Sequence, residues 1–124
     1  MTPQEMWNAY KQINPLIGDV IDAWAFGVDP DLLAELVFTG EKTATASAYD
    51  LYALEDEPLP QEGTFDVILD SKDQAVCIIE ITKVSVQPFY QVSADHAYKE
   101  GEGDKSLAYW RQVHEEFFTE WLEE

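Results

Sequence analysis

The chain has 124 residues, enough for one domain with a core of its own. Seven Lys plus Arg stand against 25 Asp plus Glu, a formal net charge of −18, which excludes broad contact with duplex DNA because such contact needs many cations to displace counterions. Apolar residues at 46% and aromatics at 13% still place the chain among globular proteins and not among charge-extended disordered ones.

The N-terminus, Met1 to Glu5, shows neither a basic region nor an apolar signal core, and no apolar run approaches membrane-spanning length. A cytoplasmic protein with no membrane partner is expected. Pro3 to Gln12 reads as a short amphipathic helix, with Met6, Tyr10 and Ile13 at helical spacing, stopped by Asn14-Pro15. Ala23 to Gly27 follows as a short strand. In the next helix Asp29 is the predicted N-cap and Pro30 the first helical residue. Leu32, Leu33, Leu36 and Val37 form its apolar stripe, and Gly40 is its C-terminal cap.

Thr43 to Ala48 leads out of that helix as a candidate strand, and Tyr49 to Leu54 as a helical turn before the acidic run Glu55-Asp56-Glu57. Thr64 to Leu69 and Ala75 to Val86 read as two strands of a hairpin around Asp70-Ser71-Lys72-Asp73. Ser93 to Lys99 is a short helix broken by Gly101-Glu102-Gly103. Asp104 or Ser106 caps the last helix, whose apolar stripe runs through Leu107, Trp110, Val113, His114, Phe117, Phe118, Trp121 and Leu122. No repeat, linker or low-complexity tract divides the chain, so a single domain over 1–124 is expected.

The lone Cys77 allows no intrachain disulfide, and one Cys with two His builds no zinc cluster. In the apolar run Ala75 to Ile79 it reads as a small core residue. The stretch Thr39 to Ser47 sets Lys42 and several hydroxyls just after Gly40. In so acidic a chain that lysine either holds an anion or simply satisfies the last carbonyls of the helix.

Three blocks together resemble the ASCH (activating signal cointegrator homology) domain family, in its bacterial single-domain subgroup. They are Gly40-Glu41-Lys42-Thr43-Ala44-Thr45, which matches a G-x-K-x-x-T element; the strand Cys77 to Val84 with its central Glu80; and Glu100 to Leu107 continued by Trp110, Arg111, His114, Phe117 and Phe118. The likeness runs from about Trp24 to Phe118. It implies an α+β fold of the PUA-like kind, a small mixed β-barrel flanked by helices, and an association with RNA and nucleotides. Some members of the family resemble ribonucleases and others hydrolyse the amide of acetylated cytidine, so the fold alone does not fix the reaction.

The resemblance carries catalysis onto Lys42, Thr45 and Glu80. A threonine hydroxyl needs a base to become a nucleophile, a desolvated lysine can act as one, and Glu80 can orient it or pass a proton to the leaving amine. On a regular strand, however, Lys42 and Thr45 point to opposite faces. Gly40, Ser47, Trp24, Phe26, Tyr49, Lys105 and Arg111 are the candidate substrate contacts: the aromatics for stacking on a base, Arg111 for its planar fork. Glu102 and Asp104 would repel an anion and hold a lysine or a metal instead. Glu80, flanked by Ile79 and Ile81, reads as a buried carboxylate in need of a partner. His114 reads as a satisfied core histidine, and His96 has no recognisable partner.

The function expected from the sequence is a cleft for a nucleoside or a short single-stranded RNA segment. If the protein is an enzyme, it hydrolyses the amide of a modified pyrimidine or an RNA phosphodiester. The alternatives are a non-catalytic RNA- or protein-binding module and a regulator acting through its acidic surface. No organic cofactor is expected, and a ribonuclease leaves room for a divalent cation.

Overall fold

The computed structural model describes residues 1–19, 21–54 and 59–123, without the side chains of residues 51, 54 and 120–123. The acidic run at 55–57 and the side chains of Trp121 and Leu122 therefore lie outside the described residues. The chain forms two compact units, residues 1–40 with 61–84 and residues 41–60 with 85–124.

The first unit is built on a three-stranded sheet in the order β1 (Asp22–Ala25), β2 (Phe65–Leu69), β3 (Ala75–Glu80). β1 runs parallel to β2 with Trp24 beside Ile68, and β3 is antiparallel with Phe65 opposite Glu80. As the middle strand β2 is covered on both faces, so its near-continuous apolar run is buried from Asp66 to Leu69. Helices α1 (Pro3–Ile13) and α2 (Pro30–Thr39) both pack on β2 and β3. On one face of the sheet Val67 and Leu69 meet Trp7 of α1, with Ile17, Phe65 and Ile78 around them.

Local rules explain most of these elements. Thr2 and Glu5 close a capping box at the start of α1, with Thr2 Oγ1 accepting from the Glu5 N–H at 3.1 Å and Glu5 Oε1 from the Thr2 N–H at 2.9 Å. Asp70 forms the hairpin turn by accepting from the N–H groups of Lys72 at 2.8 Å and Gln74 at 3.0 Å. Pro30 opens α2 and Gly40 ends it at φ +86°. Asp29 differs from expectation: it is left-handed at φ 47° and makes no side-chain cap, so the helix start rests on the proline alone. β3 also stops at Glu80, short of Val86, although Ile81 still donates to the Thr64 carbonyl at 2.8 Å. Cys77 is half-buried on β3, and burial pushes its thiol pKa up.

The second unit holds the segment after Gly40, then α3 (Tyr49–Leu54), α4 (Ala94–Glu100) and α5 (Leu107–Glu123), with a short 3-10 turn at Phe89–Gln91. Its core is Val92, Ala97 and Trp110, packed by Ala46, Phe89 and Leu107. Ser93 caps α4 and Ser106 caps α5, whose Tyr109 N–H donates to Ser106 Oγ at 3.1 Å. Among the described residues no helix is long and apolar enough to cross a membrane.

Candidate functional site

Residues 42–48 make no strand, yet their side chains alternate as in one. Lys42 and Ala48 are buried and Ala44 and Ala46 half-buried, whereas Thr43, Thr45 and Ser47 are exposed. The inward register is thus a lysine followed by three alanines, and the outward register is three hydroxyls. The N–H groups of Thr43 and Ala44 both donate to the Lys99 carbonyl, at 2.7 and 3.1 Å, which pins the segment to the end of α4.

The inward register places the Lys42 ammonium against two carboxylates. Nζ lies 2.8 Å from Glu102 Oε2 and 3.4 Å from both Glu100 Oε1 and the Glu100 carbonyl oxygen. Lys42 is 4% exposed and Glu100 1%, so this is a buried pair. Such a pair is stable only when its remaining polar atoms are satisfied. They are. Glu100 Oε1 also faces His114 Nε2 at 3.4 Å, while Oε2 meets His96 Nε2 at 2.5 Å and accepts from the Trp110 indole N–H. Two oxygens thus hold about four acceptor sites, and all four are used. No buried side-chain nitrogen or oxygen among the described residues lacks a partner.

The electrostatics follow from that count. Burial alone would raise the Glu100 pKa, but His114, His96, Lys42 and Trp110 together hold the carboxyl well below the ordinary carboxylate range. Burial likewise opposes charge on His114, and the hydrogen bond and charge of Glu100, the Trp110 carbonyl and Glu102 outweigh it, so its pKa is raised. His114 Nδ1 donates to the Trp110 carbonyl at 2.9 Å. Both its ring nitrogens therefore face acceptors, and the ring stacks on Trp110 at 4.3 Å.

Gly101 makes the geometry feasible. It is buried at φ +70°, and a Cβ there would lie 2.3 Å from the Glu41 carbonyl oxygen. Only glycine lets residue 41 approach the end of α4 so closely, and that approach carries Lys42 to Glu100.

The other candidates fall as follows. Thr45 faces outward, opposite in register to Lys42, and has no hydrogen-bond partner among the described residues. Ser47 Oγ bonds the Tyr52 hydroxyl. Tyr49 is exposed. The Lys105 ammonium sits 5.3 Å from the Tyr98 ring centre, and Arg111 donates to the Tyr90 carbonyl at 3.1 Å. Gly40 ends α2 in the first unit, which also holds Trp24, Phe26 and Glu80. Trp24 and Phe26 meet edge to face at 5.0 Å. Glu80 is exposed at the end of β3, so the burial argument made for it does not apply. The first unit's buried carboxylate is Asp66, which accepts from the Trp24 indole N–H at 3.0 Å.

Sequence reasoning missed Glu100 as the centre of this network, and with it the partner of His96. The signal was available: His96 and Glu100 stand four apart on one helix, the spacing at which side chains meet. Glu102 was expected to hold a lysine or a metal, and it holds Lys42.

Residues 22–124 match the family described as the ASCH domain. The chain belongs to the ASCH domain family. It is similar to the ASCH domain of Lactobacillus crispatus JV V101, with 35% identity, a TM-score of 0.84, and 94% of this chain and 77% of that one covered. It is also similar to protein EF3133 of Enterococcus faecalis V583, assigned to the family DUF984, with 37% identity, a TM-score of 0.86, and 97% and 74% coverage. No curated protein matches. The ASCH fold is α+β and PUA-like, and the family is generally RNA-associated. In this ASCH chain the G-x-K-x-x-T element and the Glu100-Gly101-Glu102 element are the two halves of one ion network.

Proposed function

We propose that this ASCH chain binds a nucleoside or a short single-stranded RNA segment along residues 43–47. The observation that carries the reading is the outward row of Thr43, Thr45 and Ser47, held on a backbone anchored from beneath by Lys42. Hydroxyls both donate and accept, as ribose and base edges require. Thr43 Oγ1 donates to the Lys99 carbonyl at 3.4 Å and Ser47 Oγ bonds the Tyr52 hydroxyl, so these two hydroxyls are oriented before a ligand arrives and keep acceptor capacity for it. Exposed Tyr49 supplies a stacking surface, and Lys105 and Arg111 supply charge in the same unit. The net charge of −18 disfavours a long polyanion and suits a small, neutral ligand.

The same charge balance favours a second reading, hydrolysis of an amide on a modified pyrimidine. Such a substrate needs only a compact site and no basic track.

The test is amide-resolved NMR with cytidine, N4-acetylcytidine and a single-stranded octanucleotide added in turn. Saturable shifts centred on residues 42–47, weakened roughly fivefold in Thr45→Ala by loss of about 1 kcal/mol, support the site. Shifts confined to other residues, or none with all three ligands, would sink it.

A further inference from the structure

The Glu100 network contains one imidazole that is not fully used. His114 spends both ring nitrogens, on the Trp110 carbonyl and on Glu100. His96 spends one. Its Nε2 meets Glu100 Oε2 at 2.5 Å, its ring lies edge-on to Trp110 at 5.9 Å, and Nδ1 has no partner among the described residues. Its side chain is 27% exposed, against 1% for Glu100, so the ring bridges the buried carboxylate and solvent.

The proton arrangement follows from the partner. Glu100 is held ionised, and an ionised carboxylate only accepts. Nε2 of His96 must therefore carry the hydrogen it donates, and in the neutral ring Nδ1 is left with the lone pair. A histidine whose far nitrogen is fixed by a buried carboxylate and whose near nitrogen is open is the arrangement that makes imidazole a proton acceptor in nucleophilic hydrolysis. Trp110 and His114 keep the carboxylate in place, and Lys42 balances its charge.

We infer that His96 is a general base of this protein, with Glu100 as the residue that orients it. This rests on the amide-hydrolysis reading above. Nδ1 takes a proton from a water molecule as the water oxygen bonds to the acyl carbon. The tetrahedral intermediate then breaks its C–N bond, and the imidazolium returns the proton to the departing amine. Water supplies both the hydroxyl and the hydrogen, so no other reactant is needed.

The discriminating variant is His96→Gln. Its amide N–H reaches Glu100 as Nε2 does, so the network keeps its donor, but the side chain holds no titrating nitrogen. Turnover of N4-acetylcytidine, followed by mass spectrometry, is expected to fall 10²- to 10⁴-fold, with nucleoside Kd and thermal midpoint held near those of the parent protein. Nitrogen-detected NMR is expected to show the Nε2-H tautomer for His96. Turnover in His96→Gln within threefold of the parent overturns the role, and so does an Nδ1-H tautomer. Binding without turnover in the parent protein, or cleavage of the octanucleotide instead, overturns the base while leaving the binding site standing. Absence of binding removes both.

Discussion

Among the described residues each unit buries one carboxylate, and the two are tuned in opposite directions. Asp66 in the first unit is 8% exposed and Glu100 in the second 1%. Burial raises the Asp66 pKa, the single Trp24 N–H opposes it only in part, and neighbouring Asp22 pushes it further up. Glu100 meets the same kind of penalty and is nevertheless held low, because four donors converge on it. Burial thus sets the size of the problem, and the number and charge of the partners set the sign. A carboxylate with one neutral donor is tolerated there, whereas one with an ammonium, two imidazoles and an indole becomes the anchor of its unit.

The largest test of that contrast is removal of the Glu100 charge. Glu100→Gln takes one of the two carboxylates from Lys42 and leaves His114 with no anion in hydrogen-bonding reach among the described residues, so it is expected to cost about 3 kcal/mol or more. Urea unfolding measures it, and a loss below about 1 kcal/mol would show that the network is not what holds the second unit. The pH dependence sharpens the same point. Glu100 is depressed, so its contribution is present above its ordinary value of 4.5 and fades as pH falls toward the lowered native value. His114 is raised, so its contribution is full below 6.5 and fades as pH climbs through the raised native value. The parent protein is expected to be most stable between these limits, and Glu100→Gln to flatten both flanks.

A smaller effect compares two glycines of the same backbone hand. Gly40 has φ +86° and open space where a Cβ would stand, whereas Gly101 has φ +70° with the Glu41 carbonyl 2.3 Å away. Alanine at residue 40 meets only the left-handed penalty, about 1 kcal/mol. Alanine at residue 101 meets that penalty and a backbone clash, so it is expected to lose about 2 kcal/mol or more. Equal thermal shifts in the two variants would refute the close approach that brings Lys42 to α4.

What could be read in the sequence follows the range of the forces involved. Local chemistry was legible: Pro30, Gly40 and the Ser106 cap each act within one turn, and the β2–β3 hairpin declares itself by alternation around Asp70. Asp29 was misjudged because side-chain capping goes with an extended backbone, whereas Asp29 is left-handed and makes no cap bond. Glu80 was misjudged because two flanking isoleucines say nothing about where a strand ends. Lys42 was legible as unusual but not as buried. The hint was its register, since Ala44, Ala46 and Ala48 share its parity and mark an inward face. Glu100 could not be placed by spacing alone, because three of its four donors depend on how residue 42 and α5 meet α4.

The smallest expected effect is at Asp66, and it carries the opposite sign. A carboxyl whose native pKa is raised contributes most when protonated, below its ordinary value of 3.8, and the contribution is lost as pH rises through the native value. Above the native pKa the ionised Asp66 is therefore a cost to the first unit. Asp66→Asn keeps an acceptor for the Trp24 indole and removes both the charge and its repulsion by Asp22. Stability at pH 7 is expected to rise by no more than about 1 kcal/mol, with the dependence on pH above 4 reduced. Unfolding curves at pH 4 and pH 7 measure it. A clear loss at pH 7 would mean that the Trp24 bond needs the charged acceptor, and the contrast between the two units would then reduce to a difference in donor number alone.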